Sequence, residues 1–325
     1  MSETTVEKST PMITREQIQA ALIQGQQHQG EPGAFPAGDD QFLRVAYYLS
    51  NVTQIKDYDA LYNQVYKLSF AKLSVDYAQT YPLDQYAIDA QALKDYVVPW
   101  SNDKLANGGY PLSTGGTGLG ATHRIYLSPD PRRAIAVYKH FLEQAKNAEW
   151  GKAVLTSKLG DYQIVTTCRD VIVIYISGQD MLDKLTATLR EYQQNNAGYL
   201  LNEIPVMTAP LAGLQGVGYA EDLAPTQAGP VAAYWTEQDE TWRDLHPWTG
   251  TQDWWFGLSH SQWRSVFILA ALRMSGQSDL DHLRANLTKV AAVAGLTPAT
   301  MHKKPTVSIE LVAMIADVLF PAEEL

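Results

Sequence analysis

Apolar positions change their spacing along the chain, from a helical repeat in the first third to short strand-like runs further on. Within 57–77, Leu61, Val65 and Leu68 recur at the three- and four-residue intervals of an amphipathic helix. The same intervals recur in two earlier segments, 17–27 and 41–49. The first third of the chain is therefore predicted to be helical.

After a glycine-rich stretch at 107–120, the pattern predicts short strands that alternate with helices. The predicted strands are 122–127, 153–158, 162–167, 171–176, 204–208 and 217–220. One helix begins at Pro131, because Asp130 is a suitable N-cap and proline favours the first helical position. The later predicted helices are 180–193, 262–274, 280–294 and 307–319, with Gly295 as a C-terminal stop.

Short links between strands, mixed with helices, favour an α+β fold over a doubly wound sheet. The predicted architecture is a small mixed or antiparallel sheet with flanking helices and a helical N-terminal section. Its four parts are a flexible tail at 1–12, a helical section at 13–106, an α+β core at 107–275 and a C-terminal helical segment at 276–325. A Trp-rich segment at 232–256 has no clear period.

Composition narrows the class of protein. The chain has 325 residues, of which 46% are hydrophobic, so it holds enough apolar material for a large core. Its 25 basic residues against 35 acidic ones give a formal charge of −10, which disfavours nucleic acid as a partner. No run approaches the roughly 18 apolar residues of a membrane span, and the polar residues 1–10 do not form a signal peptide. We therefore expect a globular cytoplasmic protein with no nucleic-acid or membrane partner.

The glycine-rich stretch invites comparison with nucleotide-binding loops, but its surroundings do not fit. Residues 116–121 match G-x-G-x-x-A, yet they run into a predicted strand, whereas a dinucleotide fingerprint follows a strand and opens a helix. The last glycine is not followed by the lysine and serine or threonine of a Walker-type phosphate loop. The favoured interpretation is a mobile loop that acts as a lid at the edge of a site.

Sequence motifs for metal or nucleophile chemistry are absent. The seven histidines show no H-E-x-x-H motif and no pair at metal-ligand spacing, and no G-x-S-x-G elbow occurs. Cys168 is the single cysteine, which excludes an internal disulfide and a cysteine zinc cluster, and we expect it to be a buried, inert thiol. The sequence therefore predicts neither a metal site nor a cofactor.

Candidate anion-binding residues fall on or beside the predicted strands. Alternation puts Arg124 and Tyr126 on one face of strand 122–127, opposite its core-facing residues. Lys158 ends the second strand, and Arg169 precedes the most apolar one. These side chains are able to gather on one side of a small sheet, although each also fits a solvent-facing polar position at a sheet edge.

Four sequence elements between 122 and 274 carry a family resemblance. They are HRIYLSPDP, the RDVIVIYI strand, PLAGLQGVGYAED and FGLSHSQWRSVFILAAL. The most specific of them is GVGYAED, residues 216–222. Through these elements the chain resembles the HopA-type effector family, which includes a plant-pathogen type III effector and lyase-like proteins of class V lanthipeptide and thioamitide biosynthesis. The lyase-like members are in turn similar to phosphothreonine lyases.

The resemblance implies roles for four residues. Phosphothreonine lyases carry a basic residue and a histidine two apart on one strand, then a base lysine, and then a phosphate-binding arginine. In this chain, Arg124 and Tyr126 occupy the first two positions, so that Tyr126 stands where those enzymes have an acid histidine. Lys158 occupies the position of the base, and Arg169 that of the phosphate clamp.

A second phosphate contact has to come from elsewhere, since Thr208-Ala209 stand where the resemblance leads us to expect a basic residue. His260 and Arg264, on the predicted helix after the Trp-rich segment, are the candidates for it. His123, which lies at the start of the first predicted strand of the core, is a further candidate for binding the substrate.

The implied function is a phosphoserine or phosphothreonine lyase, which eliminates phosphate from a phosphorylated precursor peptide to leave dehydroalanine or dehydrobutyrine. Lys158 is the implied base and Tyr126 the implied proton donor. Such an enzyme needs a partner kinase, because this chain has no kinase motifs of its own. Two alternatives stay open: a non-catalytic type III effector, and a scaffold or interaction protein that keeps the lyase fold.

Overall fold

The computed structural model describes residues 39, 43, 46–47, 77–97, 102–106, 109–116, 118, 120–222, 260–275 and 280–319. These ranges contain eight α-helices with defined ends and one six-stranded sheet. The helices are α1 Leu83–Ala90, α2 Asn102–Ala106, α3 Ala134–Asn147, α4 Tyr162–Thr167, α5 Gln179–Asn195, α6 His260–Ser275, α7 Leu280–Val293 and α8 Ile309–Leu319. The strands are β1 Leu112–Ser113, β2 His123–Leu127, β3 Val154–Leu159, β4 Ile172–Ile176, β5 Ala209–Pro210 and β6 Val217–Glu221. The predicted α+β fold is confirmed.

All neighbouring strands of the sheet are antiparallel, in the order β1-β3-β4-β2-β6-β5. In the central strand β2, Ile125 pairs with Ile174 of β4 on one side and with Tyr219 of β6 on the other. Because side chains alternate along a strand, this register assigns each residue of β2 to one of two faces. The face that carries Ile125 packs against the apolar stripes of α3 and α5, and we call it the core face.

Helix α3 begins as the sequence predicts. The carboxylate of Asp130 accepts the backbone N–H of Arg132 at 2.9 Å, and Pro131 opens a short 3-10 turn that leads into the helix. This cap satisfies one of the N–H groups that a helix start leaves without an intrahelical acceptor. The apolar stripe of α3, which includes Tyr138 and Phe141, is buried against the core face.

Residues 162–167 form helix α4, so the strand predicted there is wrong. Their β-branched side chains favour a strand, and six residues are too few for periodicity to separate the two structures. The carboxylate of Asp161 caps the helix by accepting the N–H of Ile164 at 2.9 Å. Inside the helix, the hydroxyl of Thr166 donates to the carbonyl of Tyr162. The cap therefore outweighs the residue preference.

Two short strands also differ from the prediction. The sequence pattern does not predict β1, which lies within the glycine-rich stretch. The strand predicted at 204–208 is displaced to β5, which pairs with Gly218 and Tyr219 of β6. The physical reason is Met207, whose φ of 57° interrupts the extended backbone that a strand requires.

A second hydrophobic core is built by the C-terminal helices. Buried residues of α6, α7 and α8 pack together, and Met207 joins them from the segment before β5. Gly295 follows α7 with a φ of +69°, the left-handed conformation that glycine adopts at little cost, so the predicted C-terminal stop is confirmed. Residues 263–272 of α6 are buried without a break, as expected of a helix that is packed on more than one side.

Some predicted segments lie outside the described residues. They are the tail at 1–12, the helix at 17–27, most of the helix at 41–49, nearly all of the helix at 57–77, and the Trp-rich segment at 232–256. The division of the chain into four parts stays a prediction. Among the described helices, none combines the length and the apolar character that crossing a membrane requires.

Candidate functional site

The face of the sheet opposite the core face carries two rows of side chains that the strand register defines. One row across β3, β4, β2 and β6 consists of Thr156, Tyr175, Arg124 and Ala220. The neighbouring row consists of Lys158, Val173, Tyr126 and Gly218. We call these eight residues the site face. The register thus brings Arg124, Tyr126 and Lys158 to one side of the sheet.

Tyr175 contacts both of the half-buried cations of the site face. The guanidinium carbon of Arg124 is 4.7 Å from the centre of the Tyr175 ring, and Lys158 Nζ is 5.1 Å from it. Both distances are within the range of a cation–π interaction, so the two cations share one aromatic partner. Sequence reasoning misses Tyr175, and its signal is a single phenol in an otherwise aliphatic strand.

Arg124 is held by a carboxylate that sequence reasoning also misses. Its Nε donates to Asp222 Oδ2 at 2.5 Å, and its side chain is only 16% exposed. The contact uses one edge of the guanidinium, and no described residue accepts from the two terminal NH2 groups. Burial lowers the pKa of Arg124, but Asp222 and the nearby tyrosines outweigh it, so the guanidinium stays charged. Asp222 is the last residue of GVGYAED, the most specific of the four elements. Its place in that element is the sequence signal that points to Asp222.

Lys158 is the cation of the site face that forms no ion pair with any described residue. Its side chain is half-buried, and in the sheet register it lies opposite Val173 of β4 and Ser113 of β1. Its amine contacts the Tyr175 ring. The amine is therefore available to a ligand in a way that a salt-bridged lysine is not.

Tyr126 lies inside the protein rather than at a substrate-facing surface. It is 3% exposed and packs with Val173 and Ala220, against which the half-buried Cys168 also rests. Burial is the largest cause of its raised pKa, which keeps the hydroxyl protonated at neutral pH. The phenol is thus able to donate a hydrogen bond, and it reaches a ligand only if the structure around it moves.

Arg169 lies beside the Tyr126 end of the site face and is already engaged. Its Nε donates to Glu203 Oε2 at 3.0 Å, and its Nη1 contacts the carbonyl of Ile204 at 3.4 Å. A Cβ atom placed on Gly218 would lie 3.3 Å from Ile204 Cβ, which puts this segment over the site face. Burial lowers the pKa of Arg169, and Glu203 opposes that effect. No described contact joins Arg169 to the other cations.

His260 and Arg264 lie in the interior of the protein, 4% and 3% exposed, and their role in binding a phosphate stays a prediction. His260 Nε2 donates to the carbonyl of Met207 at 2.9 Å. Arg264 donates from Nε to the carbonyl of Met301 and from Nη2 to that of Lys303. Burial lowers the pKa of His260 well below its ordinary value and that of Arg264 to about 9. In this conformation both side chains fasten backbone segments to α6.

His123 lies on the face of the sheet opposite Arg124, Tyr126 and Lys158, because of strand alternation. Residues one apart on a strand face opposite sides, so His123 lies on the core face while Arg124 lies on the site face. The ring is 8% exposed, and its Nδ1 is 2.9 Å from the hydroxyl of Thr122. Burial lowers the pKa of His123, which favours the neutral imidazole.

The glycine-rich loop crosses the site face at the row of Thr156 and Tyr175. A Cβ atom on Gly118 would lie 2.8 Å from Tyr175 Cδ1, and one on Gly116 would lie 2.7 Å from the carbonyl oxygen of Leu155. Both glycines have positive φ, of +70° and +85°, which other residues adopt only with strain. Their lack of side chains lets the loop rest directly on the site face. Its function as a lid stays a prediction.

The described residues contain no group of three or more His, Cys, Asp and Glu side chains arranged to hold a metal ion.

The buried carboxyl of Asp39, which contacts Met207, makes the stability of the fold depend on pH. Asp39 Oδ1 accepts the N–H of Met207 at 2.6 Å, and burial raises the pKa of Asp39 to about 6, against the opposing effects of that hydrogen bond and of Arg264. The folded state therefore binds more protons than the unfolded chain between the ordinary pKa of 3.8 and the raised value. The contribution of Asp39 to the free energy of unfolding is therefore largest below its ordinary pKa of 3.8 and is lost as the pH rises through about 6.

We expect Asp39→Asn to remove this pH dependence. A shift of this size contributes roughly 3 kcal/mol to the change in the free energy of unfolding across the window. Urea denaturation of the wild type and the variant between pH 4 and pH 7 measures the difference. Parallel pH profiles for the two proteins would show that the Asp39 carboxyl has an ordinary pKa.

Comparisons with known proteins agree with this fold. Residues 105–231 match the HopA1 effector protein family. No curated protein sequence matches the chain. In structure, the chain is similar to the effector protein from Pseudomonas syringae pv. tomato strain DC3000, with a TM-score of 0.53 and 14% identity over 82% of this chain and 98% of that one. It is also similar to the effector protein from Pseudomonas syringae pv. syringae strain 61, with a TM-score of 0.51 and 14% identity over 83% and 96% of the two chains.

These comparisons confirm the effector-family resemblance for residues 105–231, which include both rows of the site face. At 14% identity, the two solved structures show a shared fold.

Proposed function

We propose that the chain is a phosphoserine or phosphothreonine lyase that acts on a phosphorylated precursor peptide. The observation that carries this proposal is that Lys158 and Arg124 both contact the Tyr175 ring on the same face of the sheet. Lys158 is an amine without a carboxylate partner among the described residues, and Arg124 has terminal N–H donors to offer. Elimination of phosphate needs these two groups, a base for the α-proton and a cation for the leaving anion.

In the proposed reaction, the neutral amine of Lys158 removes the α-proton of the phosphorylated residue. The electron pair of the broken C–H bond forms the Cα=Cβ double bond, and the Cβ–O bond breaks with its electron pair passing to the phosphate. The terminal NH2 groups of Arg124 hold the departing phosphate through charge-assisted hydrogen bonds. The products are inorganic phosphate and a dehydroalanine or dehydrobutyrine residue, with no net oxidation.

Tyr126 and Arg169 act further from the reacting atoms in this proposal. Tyr126, protonated and buried in the row beside Arg124, donates a hydrogen bond toward the leaving oxygen once the site has opened. Arg169 reaches the phosphate only when Glu203 releases it. The glycine-rich loop has to leave the Tyr175 ring before a peptide enters. The phosphorylated substrate is supplied by a partner kinase.

A second candidate function is a non-catalytic effector or scaffold that keeps this fold. Two observations favour it. Arg124 and Arg169 each already bind a carboxylate, which is what a purely structural arginine does. The similar solved structures are both described as effector proteins. In this case the site face is a packing surface and Lys158 has no chemical role.

Mass spectrometry of phosphopeptides separates the two candidates. The protein is incubated with phosphoserine and phosphothreonine peptides, both prepared beforehand and generated in the reaction by a protein kinase. The lyase proposal expects release of inorganic phosphate with the dehydrated peptide, and no change in the unphosphorylated control peptide. Absence of dehydrated product from every phosphopeptide, with the kinase present, would reject the lyase and leave the scaffold function.

A further inference from the structure

Thr156 carries a buried hydroxyl that has no hydrogen-bond partner among the described residues. The residue is 1% exposed, and its Oγ1 is one of the few buried side-chain oxygens left without an acceptor or donor there. Buried polar groups are almost always hydrogen-bonded, because an unsatisfied hydroxyl costs about 1–3 kcal/mol. This hydroxyl lies on the site face, in the row of Tyr175 and Arg124.

A β-bulge in β3 turns Val154, two residues before Thr156, away from the site face. Val154 pairs with Ile176, and Thr156 pairs with Tyr175, so Leu155 is an extra residue in the ladder. Strict alternation would place Val154, Thr156 and Lys158 on one face of β3. The bulge inserts one residue, so Val154 lies on the opposite face from the other two. Val154 and Ser157 both face the core as a result, and Ser157 hydrogen-bonds there to Tyr138. Bulges of this kind often re-aim a side chain beside a functional site.

Thr156 lies beside the two cations that the proposed function uses. On β3 it is two residues from Lys158, so both side chains leave the strand on the same side. Across the sheet, Tyr175 is its register partner, and Arg124 is the next residue along the row. The register therefore places a hydroxyl on the same face as the amine and the guanidinium, and next to the strand that carries their shared ring.

The cover over Thr156 is the glycine-rich loop. A Cβ atom on Gly116 would lie 3.8 Å from Thr156 Cβ, and the neighbouring Gly118 rests on Tyr175. The described residues of the loop offer the hydroxyl glycine backbone and no side-chain partner. Movement of this loop would therefore uncover the hydroxyl and the ring beside it.

We propose that Thr156 is a phosphate-binding residue of the site face, whose hydroxyl donates to a phosphate oxygen between Lys158 and Arg124 when the loop opens. A hydroxyl adds a donor without a third buried charge, and a phosphate monoester has enough acceptor oxygens for all three groups. The inference rests on the proposed function for the identity of the ligand, but it requires phosphate binding and not elimination.

The test compares Thr156→Val with Thr156→Ser in the full-length protein. Calorimetric titration with inorganic phosphate and with a phosphoserine peptide should show roughly ten- to a hundredfold weaker binding for Thr156→Val, because a hydrogen bond to a charged group is lost. Thr156→Ser should restore most of the affinity. Thr186→Val, a change of the same kind on the outer helix α5, should bind as the wild type does.

Stability distinguishes a binding hydroxyl from a structural one. Without phosphate, Thr156→Val should unfold at an equal or higher urea concentration than the wild type, because it removes an unsatisfied buried group. A clear loss of stability, or unchanged phosphate affinity, would overturn the proposal, as would a wild type that binds neither probe. If the wild type binds and Thr156→Val does not, but no peptide is dehydrated, then the lyase function fails while this inference stands. If peptides are dehydrated and Thr156→Val binds phosphate as the wild type does, then the lyase function stands while this inference fails.

Discussion

Lys158→Ala is expected to slow phosphate elimination by about 10²- to 10⁴-fold, the usual contribution of a general base. Phosphopeptide affinity should change much less, because the proton transfer belongs to the transition state, and Arg124 continues to hold the phosphate in the ground state. The separation of these two effects follows from the geometry of the site face. Lys158 contacts the Tyr175 ring and forms no ion pair with a carboxylate among the described residues. Arg124, in contrast, has its Nε fixed by Asp222.

Lys158→Arg is the matched variant, since it keeps the positive charge and loses the base. A guanidinium stays protonated at any workable pH, so this variant should also fail to eliminate phosphate. Lys152→Ala removes an exposed lysine from the turn before β3 and should leave the rate unchanged. Mass spectrometry gives the rate and calorimetric titration the affinity. Elimination by Lys158→Ala near the wild-type rate would disprove the base, and an equal loss of rate and affinity would make Lys158 a phosphate-binding cation instead.

Gly216→Ala is expected to lower the free energy of unfolding by about 3 kcal/mol or more, through strain and a backbone collision together. Gly216 has a φ of +65°, and a Cβ atom there would lie 2.1 Å from the carbonyl oxygen of Leu201. Its own carbonyl accepts the N–H of Ser128 at 2.9 Å, which ties the start of β6 to the end of β2. The turn is thus held from both sides and has little freedom to yield.

Gly213→Ala is the matched control for this turn. Gly213 has a similar φ of +76°, but a Cβ atom there would meet only the end of the Arg190 side chain, at 3.9 Å. The same backbone strain without the collision should cost about 1 kcal/mol. Urea denaturation measures both variants. Equal losses of stability would show that backbone strain alone accounts for the glycine at 216.

The specific GVGYAED element therefore has a structural explanation in this chain. Gly216 fits a turn that admits no side chain, and Gly218 passes under Ile204 and the hydroxyl of Thr208. At the other end of the element, Asp222 holds Arg124 by a buried ion pair. An element that resembles a family signature thus positions the guanidinium, and this role is compatible with either candidate function.

The placement of Arg124 and Tyr126 was predictable from the sequence, because alternation along a short strand needs no tertiary information. The start of α3 was predictable for a similar reason, since Asp130 and Pro131 act on their own neighbours. Tyr162–Thr167 was not predictable, because residue preference and capping point to different structures there and the cap prevails. Local structure can be predicted from the sequence where the local interactions all favour the same structure.

The site depends on contacts that no local pattern contains. Alternation from Lys158 places Thr156 on the site face, but the glycine backbone that covers Thr156 comes from a distant segment of the chain. Asp222 reaches Arg124 only after β6 has paired with β2. The burial of His260 and Arg264 likewise depends on carbonyl groups that come from distant segments. Charge and spacing therefore indicate candidate site residues, and the sheet register determines which of them lie on the same face.

The central position of β2 has a consequence for how the chain folds. Ile125 pairs with Ile174 and with Tyr219, and both partners are synthesised long after β2 itself. Closing such long loops carries an entropic cost before the pairing repays it, which slows the folding of sheets built from non-local contacts. A nascent chain that ends within α5 holds β2 beside β4 with its other edge unpaired, and such edges favour association with other chains. We therefore expect truncation before β6 to yield an aggregating chain, while full-length protein refolds in a late step that coincides with the docking of β6.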